Sequence, residues 1–165
     1  MKIFNSTLSF LVFSIALFGI TTNSAHPAEE PNVISFCADF ELFPDNHKLP
    51  ANFKLSSFVF QELNNPNSWF VNLTDGRRGL QFSPKGVEIT LPLPVSVVEF
   101  EIGLFNRDAE VSVINIDNKE IQRQTLTAGT YRTVSLEGSK IAKLILSKGG
   151  HEAILPNVCV SLTAS

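Results

Sequence analysis

Val87-Glu-Ile-Thr-Leu-Pro-Leu-Pro-Val-Ser-Val-Val-Glu-Phe-Glu-Ile-Gly-Leu104 alternates apolar and polar side chains on either side of a proline-bearing centre. Val87, Ile89 and Leu91 point one way while Glu88 and Thr90 point the other. Val98, Phe100, Ile102 and Leu104 then alternate with Glu99, Glu101 and Gly103. Period-two alternation puts one side of a strand on a core and the other in water, as antiparallel sheet requires. Ala109, Val111 and Val113 continue the pattern. Further runs at 34–40, 53–60, 69–73, 131–136, 141–147 and 153–161 are rich in branched and aromatic residues. Two shorter runs, around 79–82 and 121–125, leave the strand count open. The breaks carry turn chemistry: Asn64-Asn-Pro-Asn67, Asp75-Gly76, Ser83-Pro-Lys-Gly86, Asp117-Asn118, Ala128-Gly129 and Lys148-Gly-Gly150. No segment beyond the N-terminal region offers a helical stripe. Roughly eight to ten short strands in one domain predict an all-β, two-sheet antiparallel β-sandwich. Ten phenylalanines between Phe36 and Phe105 are expected to fill the space between the sheets.

The two ends of the domain carry the only cysteines, Cys37 and Cys159. The chain opens with Lys2, an apolar run from Leu8 to Ile20, and small or polar residues up to Ala25. These are the parts of a secretory signal peptide over residues 1–25, and the apolar run is too short to span a bilayer. A polar leader over 26–33 and a sandwich domain over 34–162 follow, so no membrane insertion is expected after cleavage. The expected location is secreted, periplasmic or extracellular. Exported paired cysteines form disulfides, so the first and last strands are expected to lie side by side and be stapled. Terminal neighbours should be antiparallel, which an even number of reversing strands provides. Loss of Lys2 with the signal leaves 12 basic and 16 acidic residues, a net charge of −4. That balance, without a basic cluster, argues against nucleic acid and anionic membrane as partners.

Three stretches resemble a known family. Cys37-Ala-Asp-Phe-Glu41, Gly86-Val-Glu-Ile-Thr-Leu-Pro-Leu-Pro-Val-Ser-Val-Val-Glu-Phe100 and Glu152-Ala-Ile-Leu-Pro-Asn-Val-Cys-Val160 are similar to secreted bacterial jelly-roll domains of the galactose-binding-like type. The resemblance implies a noncatalytic module that binds carbohydrate or another surface ligand, with the structural Ca²⁺ that many such domains hold where the terminal strands meet. Many relatives carry an acidic residue where this chain has Asn157.

Asp39 and Glu41, with Glu152 and Asn157 from the other terminus, form the candidate calcium set, since Ca²⁺ takes six to eight hard oxygens. Trp69, Asn72, Arg77 and Arg78 form the candidate glycan set: an aromatic face stacks on a sugar ring, and amide or guanidinium groups bond its hydroxyls. A core tryptophan beside a tight turn is the competing reading of the same residues. The loop Phe105-Asn-Arg-Asp108 offers similar residue types. Asn72-Leu-Thr74 is a formal glycosylation sequon. Catalysis is not expected: Glu99 and Glu101 share one strand's solvent side instead of flanking a cleft, and no G-x-S-x-G elbow occurs. The sequence therefore predicts a secreted binding module for extracellular carbohydrate, held by loops at one end of the sandwich. A structural or adhesive envelope protein with a surface-protein partner is the alternative, and the oligomeric state is left open.

Overall fold

In a computed structural model, residues 33–63 and 69–163 are described. The expected signal peptide, most of the expected polar leader and the expected Asn64–Asn67 turn lie outside the described residues. Ten strands follow one another: β1 (Val33–Asp39), β2 (Asn52–Leu55), β3 (Phe58–Glu62), β4 (Phe70–Thr74), β5 (Arg77–Phe82), β6 (Val87–Leu104), β7 (Ala109–Asn115), β8 (Glu120–Leu126), β9 (Gly129–Ser147) and β10 (Ala153–Thr163). One 3-10 turn, Gly150–Glu152, precedes β10. All strand pairs among these residues are antiparallel.

The pairing builds two layers. In the first, β10 meets β6 along one edge; along the other it meets β5 through Ala153–Leu155 and β1 through Asn157–Thr163. β4 extends β5. In the second, β2, β3, β6, β9, β7 and β8 lie in that order. β6 and β9 belong to both layers. The Val87–Thr90 end of β6 pairs with β3 and with Lys143–Leu146 of β9, whereas Val98–Glu101 pairs with β10 and with Thr133–Leu136. The ladder shifts register between Thr90 and Val95, where Pro92 and Pro94 supply no N–H. On β9 the matching irregularity holds Lys140 at φ 55°. Strands that turn such corners carry one ladder from sheet to sheet.

This explains how the ten strands arise. The two halves of the opening stretch are one bent strand, as are 131–136 and 141–147. The run 53–60 divides into the hairpin β2–β3, whose turn residues Ser56 and Ser57 both take positive φ. Both short runs are real strands.

Residues from both layers form a single core, with Phe100, Ile102, Val158 and Leu80 facing Phe58, Phe60, Val111 and Leu144. Phe40, Phe58, Phe60, Phe82 and Phe100 are fully buried, as expected. Phe36 is not: it sits on edge strand β1 and is 40% exposed. Phe70 and Phe105 are half-buried, on the other side of their layer from the core. Cys37 and Cys159 are direct partners in the β1–β10 register and form the disulfide, with Cα atoms 4.1 Å apart.

Candidate ligand-binding face

Alternation decides which side chains leave the core. In β4, Val71 is buried, so Phe70, Asn72 and Thr74 face outward. In β5, Leu80 and Phe82 are buried, so Arg77, Gly79 and Gln81 face outward. Register then places Phe70 beside Gln81, Asn72 beside Gly79, and Gln81 beside Ile154 of β10, which itself meets Gly103. Together these strands floor an open groove of about 600 Å³. Phe70, Asn72, Thr74, Gln81 and Ile154 line its base, while Asn46, Asp75, Phe105 and Glu152 come from loops around it.

Two glycines shape this surface. A Cβ on Gly79 would lie 2.6 Å from Ile154 Cγ2 and 2.7 Å from the Leu155 and Pro156 backbone, so only glycine lets β5 approach β10 this closely. A Cβ on Gly103 would come within 2.8 Å of Tyr131 and 2.9 Å of Phe105. Its absence lets those rings lie over β6, edge to face, with centroids 5.4 Å apart. The Tyr131 hydroxyl donates to the Thr74 carbonyl at 3.0 Å, tying β9 to the end of β4. Burial, reinforced by the negative charge of Asp75, pushes the Tyr131 phenol up to about 12. The groove amides are oriented by each other: Asn72 Nδ2 donates to Gln81 Oε1 at 2.6 Å and to Thr74 Oγ1 at 3.2 Å. Gln81 Nε2 donates to the His151 carbonyl at 2.5 Å. Asn72 thereby spends its amide donor within the groove.

Beside the groove lies an ionic clamp. Arg77 donates through Nη1 and Nη2 to the two oxygens of Glu101, at 2.7 and 2.5 Å, and through Nε to Glu41. Its guanidinium carbon lies 5.9 Å from the centroid of the Tyr131 ring. Asn157 donates to the same Glu101 carboxylate at 3.4 Å. The hydrogen bond to Glu41, with the nearby charge of Glu101, holds the guanidinium above its ordinary pKa.

The structure redistributes both expected sets. Trp69 is 1% exposed, donates its indole N–H to the Pro50 carbonyl at 2.8 Å, and packs edge-on to Phe53. A ring enclosed on both faces cannot stack on a sugar, so Trp69 leaves the ligand set. Asn72 stays in it. Arg77 reaches the outward face but is bound to two carboxylates, and Arg78, next along an alternating strand, leaves on the opposite side beside Leu73.

The calcium set does not converge. Asp39 accepts the Glu41 backbone N–H at 2.9 Å, Glu41 pairs with Arg77, and Asn157 serves Glu101. Glu152 lies on the groove, five residues before Asn157, or about 16 Å of extended chain. Among the described residues no three His, Cys, Asp or Glu side chains gather around a common point. The Arg77 guanidinium holds the Glu41 oxygen that this residue would otherwise offer a cation. Sequence reasoning missed Phe70, Gln81, Tyr131 and Ile154; the parity of Phe70 with Asn72 was the available signal.

No family model matches the chain, and no curated protein matches it. Among solved structures it is similar to a mutant of the family 29 carbohydrate-binding module CBM29-2, with 9% identity over 80% of this chain and 93% of that one, at a TM-score of 0.46. It is also similar to CBM86 of Roseburia intestinalis, a low affinity xylan binding module, with 18% identity over 78% and 93% at 0.40. A family 6 carbohydrate-binding module aligns with 11% identity over 78% and 93% at 0.37. These solved structures are carbohydrate-binding modules, and the strand pairing of this chain makes it an all-β antiparallel sandwich closed by Cys37–Cys159.

Proposed function

We propose that the chain is an exported, noncatalytic carbohydrate-binding module that holds its glycan in the groove on the outward face of β4, β5 and β10. The observation that carries this reading is the combination of half-buried Phe70 and Phe105 with the pre-oriented amides of Asn72 and Gln81 around one cleft. Sugar rings present C–H faces to aromatic side chains and hydroxyls to amides, and sites of this kind mix apolar walls with a few fixed polar groups. The floor is strand-borne and the surrounding loops supply the rest, so recognition uses the sheet surface as well as loop ends. Asp75 and Glu152, the carboxylates lining the groove, are both exposed. The disulfide suits an oxidising, extracellular setting.

Affinity electrophoresis against a panel of neutral polysaccharides tests the reading. Phe105→Ala and Asn72→Ala should lose retention while their melting temperatures stay close to that of the parent. Trp69→Phe should keep retention, because the ring it replaces faces the core. Parent-like retention of both groove variants would refute the site.

A further inference from the structure

We propose that the groove is charge-selective: it accepts uncharged glycans and turns away those bearing carboxylate or sulfate groups, with Asp75 and Glu152 as specificity-determining residues. The inference rests on the glycan reading above and follows from three observations.

The charged side chains lining the groove are Asp75 and Glu152, one on the β4–β5 turn and one before β10. An acidic sugar would meet like charges there. Lys48, paired with Phe70 by an isolated bridge, and Arg107, two residues after Phe105, are exposed cations, and neither lines the cleft.

Arg77 is the side chain best suited to grip a sugar carboxylate, yet each of its three nitrogens already donates to a carboxylate. Both Nη groups go to Glu101 and Nε goes to Glu41. A fork already closed on one carboxylate is not open to a second. Glu101 is only 14% exposed, so releasing Arg77 would strand a poorly hydrated charge.

The two outer surfaces of the sandwich also differ in sign. On the groove-bearing layer, alternation places Asp39, Glu99, Glu101 and Glu137 outward against Arg77, with Lys140 sharing a surface pocket with Glu99. On the opposite layer, Glu88 pairs with Lys143, Glu110 with Lys148 and Glu120 with Arg123. One face is neutralised, and the face holding the groove is left acidic. Asp75 is among the charges that oppose ionisation of Tyr131, so its field reaches the aromatic pair beside the groove.

The test uses matched polymers that share a backbone and differ in charge, such as hydroxyethyl and carboxymethyl cellulose, together with xylan and mannan pairs made in the same way. The readout is the ratio of retention on the neutral member to retention on the charged member. The parent protein should favour the neutral member, less so at high salt as screening shortens the repulsion. In the Asp75→Asn/Glu152→Gln variant the ratio should fall by about tenfold, the size expected for removing exposed charges several ångströms from the ligand. Equal retention of both members by the parent, or an unchanged ratio in the variant, overturns the selectivity while leaving the groove as a glycan site. Absence of retention on every polymer by both proteins overturns the glycan reading, and the selectivity falls with it.

Discussion

Removal of the disulfide by Cys37→Ser/Cys159→Ser should destabilise the domain almost wholly through its unfolded state. The two residues are direct cross-strand partners, 122 positions apart, so the bond closes nearly the whole sandwich into one loop. Chain-entropy arithmetic for a loop of that length gives about 5 kcal/mol at room temperature. Little else is lost. Cys37 is exposed and Cys159 half-exposed on the outward side of the layer, so serine at both positions opens no cavity in the core. The seven-residue β1–β10 register and the buried side chains of Ala38 and Phe40 still hold the N-terminal strand. With an unfolding entropy of about 0.27 kcal/mol/K for a domain near 130 residues, the melting temperature should fall by roughly 18 °C. Calorimetry reads the shift, and urea titration supplies a second signature: the unlinked unfolded chain expands further, so the m-value should rise. A fall of less than about 5 °C with an unchanged m-value would refute the reasoning. It would mean that the bond barely restricts the unfolded chain.

Gly79→Ala should cost about 1–3 kcal/mol, because the new methyl meets Leu155 and Pro156 backbone that cannot swing aside; chemical denaturation checks this, and a neutral result would mean β5 and β10 have room to part. Tyr131 is the only tyrosine, so ultraviolet titration reports it alone. Its folded midpoint should lie near 12 against an ordinary 10, with burial as the main cause. Since the raised value favours the protonated form in the folded state, this stabilisation is complete below pH 10 and disappears as pH rises towards 12. A folded-state midpoint at 10 would show the phenol to be solvated.

The alternation in Val87–Leu104 was enough to specify sheet, its antiparallel sense, and which residues enter the core, because side-chain direction in a strand repeats every two residues. The cysteine positions likewise placed the two termini side by side, and the even strand count agrees with their antiparallel pairing. Strand boundaries were less legible. Prolines within an apolar run read locally as a break, yet Pro92 and Pro94 mark a corner inside one strand.

The candidate site depended on pairings that no local pattern contains. Composition could propose Trp69 as an aromatic platform, but whether an aromatic side chain faces ligand or core depends on its strand's parity and on what covers it. That put Trp69 inside, and Phe70 and Phe105 beside the groove. Arg77 and Glu41 were legible as charged residues, but only the register joining β5, β6 and β10 could show that they and Glu101 neutralise one another. Alternation and the two cysteines of the covalent staple are written in the order of residues along the chain, because strand parity is local geometry. The groove and its clamp arise between residues tens of positions apart, whose meeting is decided when the two layers close over a shared core.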